Sequence, residues 1–150
     1  NKLYKNNDGF EAEEIVKKTL WRYGYSVKHL RGASFDLLVN NNINVEVKSS
    51  KFYLLKNGGY EWRFTSPYLI NPWTVLATVL YMPVGKPLIY YFTRKEIIKK
   101  YGKKEKAFNR KNILIIKGLV FQAKNGQDLN FGETIPSKIL GATKWKQPNW

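Results

Sequence analysis

Cysteine is absent from the 150 residues. That excludes a disulfide framework, thiolate zinc sites and a cysteine nucleophile, and it fits the cytoplasm. Histidine occurs once, at position 29. Zinc hydrolases and His-metal nucleases need several imidazoles, so metal chemistry here falls to carboxylates, which suit Mg2+ or Mn2+. His29 itself reads as a strand or surface residue, not a ligand. Long apolar runs are also missing. The longest, "TVLATVLYM" (74–82), is too short to span a bilayer and runs into Pro83. The opening "NKLYKNNDGF" has no apolar signal core. Acids are scarce, 11 against 26 Lys and Arg, for a net charge of +15.

A charge that size on a small domain calls for a polyanionic partner. Nucleic acid comes first and an anionic membrane surface second. Apolar residues, at 43%, place the chain in the globular range. Its length fits one domain over 1–150 with one core. Residues 94 to 117 hold ten Lys or Arg and two Glu, so the half from about 94 to 150 is expected to extend the binding surface.

Helical spacing of Phe10, Ile15, Val16, Thr19, Leu20 and Tyr23 predicts a helix over 9–25, with Gly24 as its stop. A strand over 25–30 and a turn at 31–32 follow. Residues 35–39 and 43–50 alternate and predict a hairpin across Asn40–Asn42. Further strands are expected at 60–65, 74–82, 87–92 and 112–121. Thr93 and Glu96 form a capping box for a helix over 93–102, and 136–145 reads as a short helix. The outline is an α/β fold, a mixed sheet flanked by helices.

Side chains alternate across a strand, so Glu46 and Lys48 share one face and Val45 and Val47 the other. A three-residue loop pairs 39 with 43 and sets Asp36 beside Glu46. A two-residue loop would part them. Three-residue hairpins need a left-handed residue, and Asn tolerates that conformation well. Two adjacent carboxylates repel unless a cation sits between them, and a divalent ion does this well. Lys48 can then neutralise charge developing on a phosphodiester. A plain cross-strand ion pair would use the same residues.

Asp36 followed by "EVK" at 46–48, after an acid-bearing helix, resembles the PD-(D/E)XK nuclease superfamily over residues 9 to about 100. Phe35 stands at the proline position of that motif. The resemblance implies a restriction-endonuclease-like fold. It also implies Asp36 and Glu46 as metal ligands, Lys48 as a catalytic residue, and Mg2+ (or Mn2+) as cofactor. Many members add a glutamate from the first helix. Here Glu11, the third residue placed on the metal, and Glu13 are level candidates. Glu11 aligns with Ile15 and Thr19, Glu13 with Val16 and Leu20, while Glu14 shares a face with Lys17 and Lys18. The chain as a whole is similar to bacterial group I intron-encoded homing endonucleases with this core, which make sequence-specific double-strand breaks. A junction-resolving nuclease and a non-enzymatic basic nucleic-acid-binding domain are the alternatives.

For duplex DNA, the expected contacts are Lys99, Lys100, Lys103, Lys104, Lys106, Arg110 and Lys111, with Arg94 and Arg63. Base edges need side chains such as Arg63, Arg94, Arg110, Asn109 or Gln122, and the sequence does not choose among them. The Lys–Trp tail at 144–150 suits packing or a subunit contact. One chain carries one site, and cutting two strands takes two, so a homo-oligomer, dimer or tetramer, is expected.

Overall fold

The computed structural model describes residues 2–30, 34–124, 129 and 131–136. The turn expected at 31–32, the helix expected beyond Pro136 and the Lys–Trp tail lie outside the described residues. The chain is mixed α/β. Helix α1 (Lys2–Arg22) starts earlier than its apolar spacing suggests and stops where Gly24 turns the chain at φ +90°. Strands β1 (Val27–His29), β2 (Leu37–Val39) and β3 (Ile43–Ser50) follow. Next come β4 (Tyr53–Leu54), β5 (Tyr60–Arg63), β6 (Val75–Leu80) and β7 (Leu88–Thr93). Helix α2 (Arg94–Tyr101), β8 (Gly102–Lys106), β9 (Asn112–Ile116) and β10 (Val120–Ala123) complete the order.

The central sheet runs β1-β2-β3-β6-β7, antiparallel except where β3 pairs with β6 in parallel. β6 is buried along its whole length, which explains its unbroken apolar sequence. Its residues alternate between two cores. Val75, Ala77 and Val79 join Ala12, Val16 and Leu20 of α1, together with Ile43, Val45 and Val47 of β3. Leu76 and Leu80 face the opposite layer of Trp62, Phe64, Ile97, Leu119 and Phe121. Each large side chain taken fully out of water contributes about 2–3 kcal/mol. The two fully buried tryptophans also satisfy their indole N–H groups, Trp62 on Tyr81 O at 3.0 Å and Trp73 on Tyr68 O at 2.9 Å.

Three expectations change. The strand at 60–65 does not join the central sheet; β5 is the middle of a separate sheet, β10-β5-β4, laid over the second core. The strand expected over 112–121 is two strands, because Gly118 breaks it at φ +69°. The basic run 99–111 starts on the last turn of α2, and no strand was expected in the rest of it. It leaves α2 at Gly102 and forms a hairpin of β8 and β9 with Arg110 at φ 65° in its turn. Gly102 is extended (φ −71°), and a Cβ there would lie 2.4 Å from the Ile98 carbonyl oxygen, so close approach requires the glycine. The capping box forms as expected, with Thr93 Oγ1 accepting from Glu96 N at 3.2 Å and Glu96 Oε1 accepting from Thr93 N at 2.9 Å.

Candidate active site

The β2–β3 hairpin closes in the three-residue register, with Val39 opposite Ile43 and Leu37 opposite Val45. Asn40 and Asn41 supply the left-handed turn at φ 50° and 61°. Asn40 also bonds Ser26 twice: its N–H donates to Ser26 O at 2.9 Å, and its side-chain Oδ1 accepts from Ser26 N at 3.0 Å. Asp36 sits in the bend just before β2 and donates its N–H to Val45 O at 3.1 Å. That keeps its carboxyl beside Glu46, with which it interacts. Its Oδ2 accepts from the Val47 amide at 2.8 Å, which holds the carboxylate against β3.

Glu46 and Lys48 project from the face of β3 opposite Val45 and Val47. Lys48 Nζ lies 3.4 Å from Glu46 Oε2, and their side chains are 20% and 12% exposed. Burial pushes the Glu46 carboxyl up to about 7, Asp36 adds to the rise, and Lys48 only partly opposes it. Glu13 of α1 reaches the same group. Burial again raises it to about 7, with repulsion from Asp36 and Glu46 and a hydrogen bond to Asp36 adding to the rise. Glu11 points elsewhere: it is exposed and lines a cleft of about 610 Å³ with Ser49, Ser50 and Lys51. The structure therefore brings Glu13, Asp36, Glu46 and Lys48 together and leaves Glu11 apart.

His29 belongs to the surroundings of this site, which the sequence reading did not anticipate. Its Nε2 is 3.6 Å from Glu13 Oε1, its Nδ1 is 4.0 Å from Glu14 Oε2, and its ring stacks on Phe10. The signal was present in the alternation of β1, which turns His29 to the same side as Val27, toward α1.

Carboxylates with raised pKa values suit a hard dication, whose charge would let them ionise together. Among the described residues no three acids or imidazoles form a finished cation cage. Asp36 is turned onto the Val47 amide and Glu46 onto Lys48. The donor types fit Mg2+ or Mn2+, and two side chains must turn to receive it.

Of the expected DNA contacts, Lys99, Lys100, Lys103, Lys104, Lys106, Arg110 and Lys111 are exposed along the end of α2 and the β8–β9 hairpin. Arg94 is committed to the fold. Its guanidinium donates to the carbonyls of Asn71 at 2.7 Å, Trp73 at 3.0 Å and Leu69, and covers the Trp73 ring. Asn109 Oδ1 accepts from the Lys111 amide at 3.1 Å within the turn. Among the described residues no helix is long and apolar enough to cross a membrane. No family model, curated protein or solved structure matches the chain.

Proposed function

We propose that the chain is a metal-dependent endodeoxyribonuclease that cuts duplex DNA by phosphodiester hydrolysis. The observation that carries this is the cluster of Glu13, Asp36 and Glu46. Two of its members are pushed to about 7, and a lysine stands 3.4 Å from one of them. A structural ion pair needs one acid per lysine and gains nothing from crowding three acids at one spot. A bound Mg2+ or Mn2+ would supply Lewis-acid polarisation of the scissile phosphate. Asp36 and Glu46 would hold it from the hairpin, with Glu13 beside them on α1. The Lys48 ammonium neutralises charge on the phosphate as the bond breaks. The basic β8–β9 hairpin binds the DNA backbone.

The narrower reading is a sequence-specific intron-encoded homing endonuclease acting as a homo-oligomer in the cytoplasm. Its support is the resemblance, the heavy Lys and Asn usage and the charge of +15. The test compares linear duplex and four-way junction substrates in Mg2+, with and without chelator. Chelator-sensitive cutting of the duplex supports the proposal. Junction-only cutting would make the chain a resolvase, and tight binding without cutting a non-enzymatic binder.

A further inference from the structure

The small sheet carries a polar row on its outer face. Register sets Glu61 of β5 between Gln122 of β10 and Tyr53 of β4, with Arg63 two residues along β5. Gln122 Nε2 donates to Glu61 Oε1 at 2.6 Å, and Arg63 Nε donates to Glu61 Oε2. The Arg63 guanidinium also lies over the Tyr53 ring, 4.2 Å from its centroid. These two hydrogen bonds hold the Glu61 carboxyl below the usual range, so the support stays charged.

The way Arg63 is held matters. A guanidinium that serves only as an ion-pair partner commonly offers its fork to the carboxylate. Here Glu61 takes Nε and Tyr53 covers a face. The terminal Nη groups make no hydrogen bond among the described residues, and the side chain is 54% exposed. The free edge is the one that bonds two acceptors at once, such as guanine O6 and N7. Gln122, the next polar side chain across the sheet, is a type that pairs with adenine.

The row is also fixed relative to the candidate active site. Ser50, two residues beyond Lys48 on β3, accepts the Arg63 amide on Oγ at 2.7 Å and donates to Lys51 O at 2.9 Å. The cleft lined by Ser49, Lys51, Tyr53 and Arg63 leads from the end of β3 to the sheet. A strand pair is narrow enough to enter the major groove.

We infer that the outer face of the β10-β5-β4 sheet reads base edges in the major groove, with Arg63, braced by Glu61 and Tyr53, as the principal guanine contact and Gln122 beside it. This rests on the DNA-binding part of the proposed function and adds which element supplies sequence choice. The Ser50 tie keeps the read position at a constant distance from the cut.

The test is selection from a randomised duplex library in Ca2+, with sequencing of the bound fraction. Wild type is compared with Arg63→Ala, Arg63→Lys and Gln122→Ala, each first checked for a wild-type melting profile. Arg63→Ala is expected to lose about 10- to 100-fold preference at one guanine position while its salt dependence holds. Arg63→Lys, lacking the fork, recovers only part, and Gln122→Ala relaxes a neighbouring position. The inference is overturned if Arg63→Ala keeps wild-type preferences. It is overturned equally if that variant weakens all sequences alike and lowers the salt slope by about 1, the mark of a phosphate contact. Selective binding without cleavage in Mg2+ would sink the nuclease reading and leave this one standing. Cleavage with preferences untouched by Arg63→Ala would do the reverse, and failure to bind duplex at all overturns both.

Discussion

Glu13 and Glu46 titrate near neutrality because burial and the neighbouring Asp36 act on both. Their folded-state pKa values lie above the unfolded value of 4.5, so between about 4.5 and 7 the folded chain keeps protons that the unfolded chain has released. Stability therefore falls as pH rises through that window, by an amount on the order of a few kcal/mol, and is level above it. Melting temperature without dication should drop from pH 5 to pH 8, and millimolar Mg2+ should restore it at pH 8 only. The variant Glu13→Gln removes one repelling charge. It should melt above wild type at pH 8 and gain less from Mg2+, whereas Glu11→Gln should match wild type in both. Arg94 makes a different kind of claim. Replacing it with Lys strands carbonyls that the guanidinium fork satisfies, and chemical denaturation should show a loss of about 3 kcal/mol. At this scale Asp36, Glu46 and Lys48 were legible in the sequence, because strand alternation is set by the backbone alone. The choice between Glu11 and Glu13 was not. Both lie on helix columns that carry apolar residues. Only packing shows that the buried column is Ala12, Val16 and Leu20, which turns Glu13 toward the sheet and Glu11 away.

The β2–β3 hairpin joins the site to its sequence. Asn40 and Asn41 occupy left-handed backbone, so Asn41 can become Gly at little cost, while Asn41→Ala should cost about 1 kcal/mol. Deleting Asn41 shortens the loop to two residues and slips the register. Asp36 then leaves Glu46, and both cleavage and the Mg2+ stabilisation should vanish even if the sheet still forms. This hairpin, the β6–β7 hairpin and the capped helix α2 were legible, since each rests on local turn or cap chemistry. The small sheet was not. It pairs β5 with β10, some sixty residues apart, and no local pattern reports a partner at that distance. The β8–β9 hairpin was hidden for another reason. The helix end at Gly102 was legible, but the run beyond it is dense in lysine and carries no alternating apolar pattern that announces a strand.

Across the whole molecule, a charge of +15 surrounds one cluster of three acids, Glu13, Asp36 and Glu46. On the proposed function that cluster takes the cation, and the exposed lysines of the α2 end and the β8–β9 hairpin meet the phosphates. Duplex affinity should therefore fall by about 10³ or more between 50 and 200 mM salt. Changing Lys103, Lys104 and Lys106 together to Ala should reduce the salt slope by about 2–3 without changing sequence preference. The most direct test of the central claim is cleavage of a mixed-sequence duplex library in Mg2+, run side by side with wild type and Lys48→Ala. The account predicts discrete products from wild type, none with chelator, and a loss of at least about 100-fold in Lys48→Ala with DNA binding retained. Equal cutting by the two proteins, or no cutting by wild type in either Mg2+ or Mn2+, would contradict it.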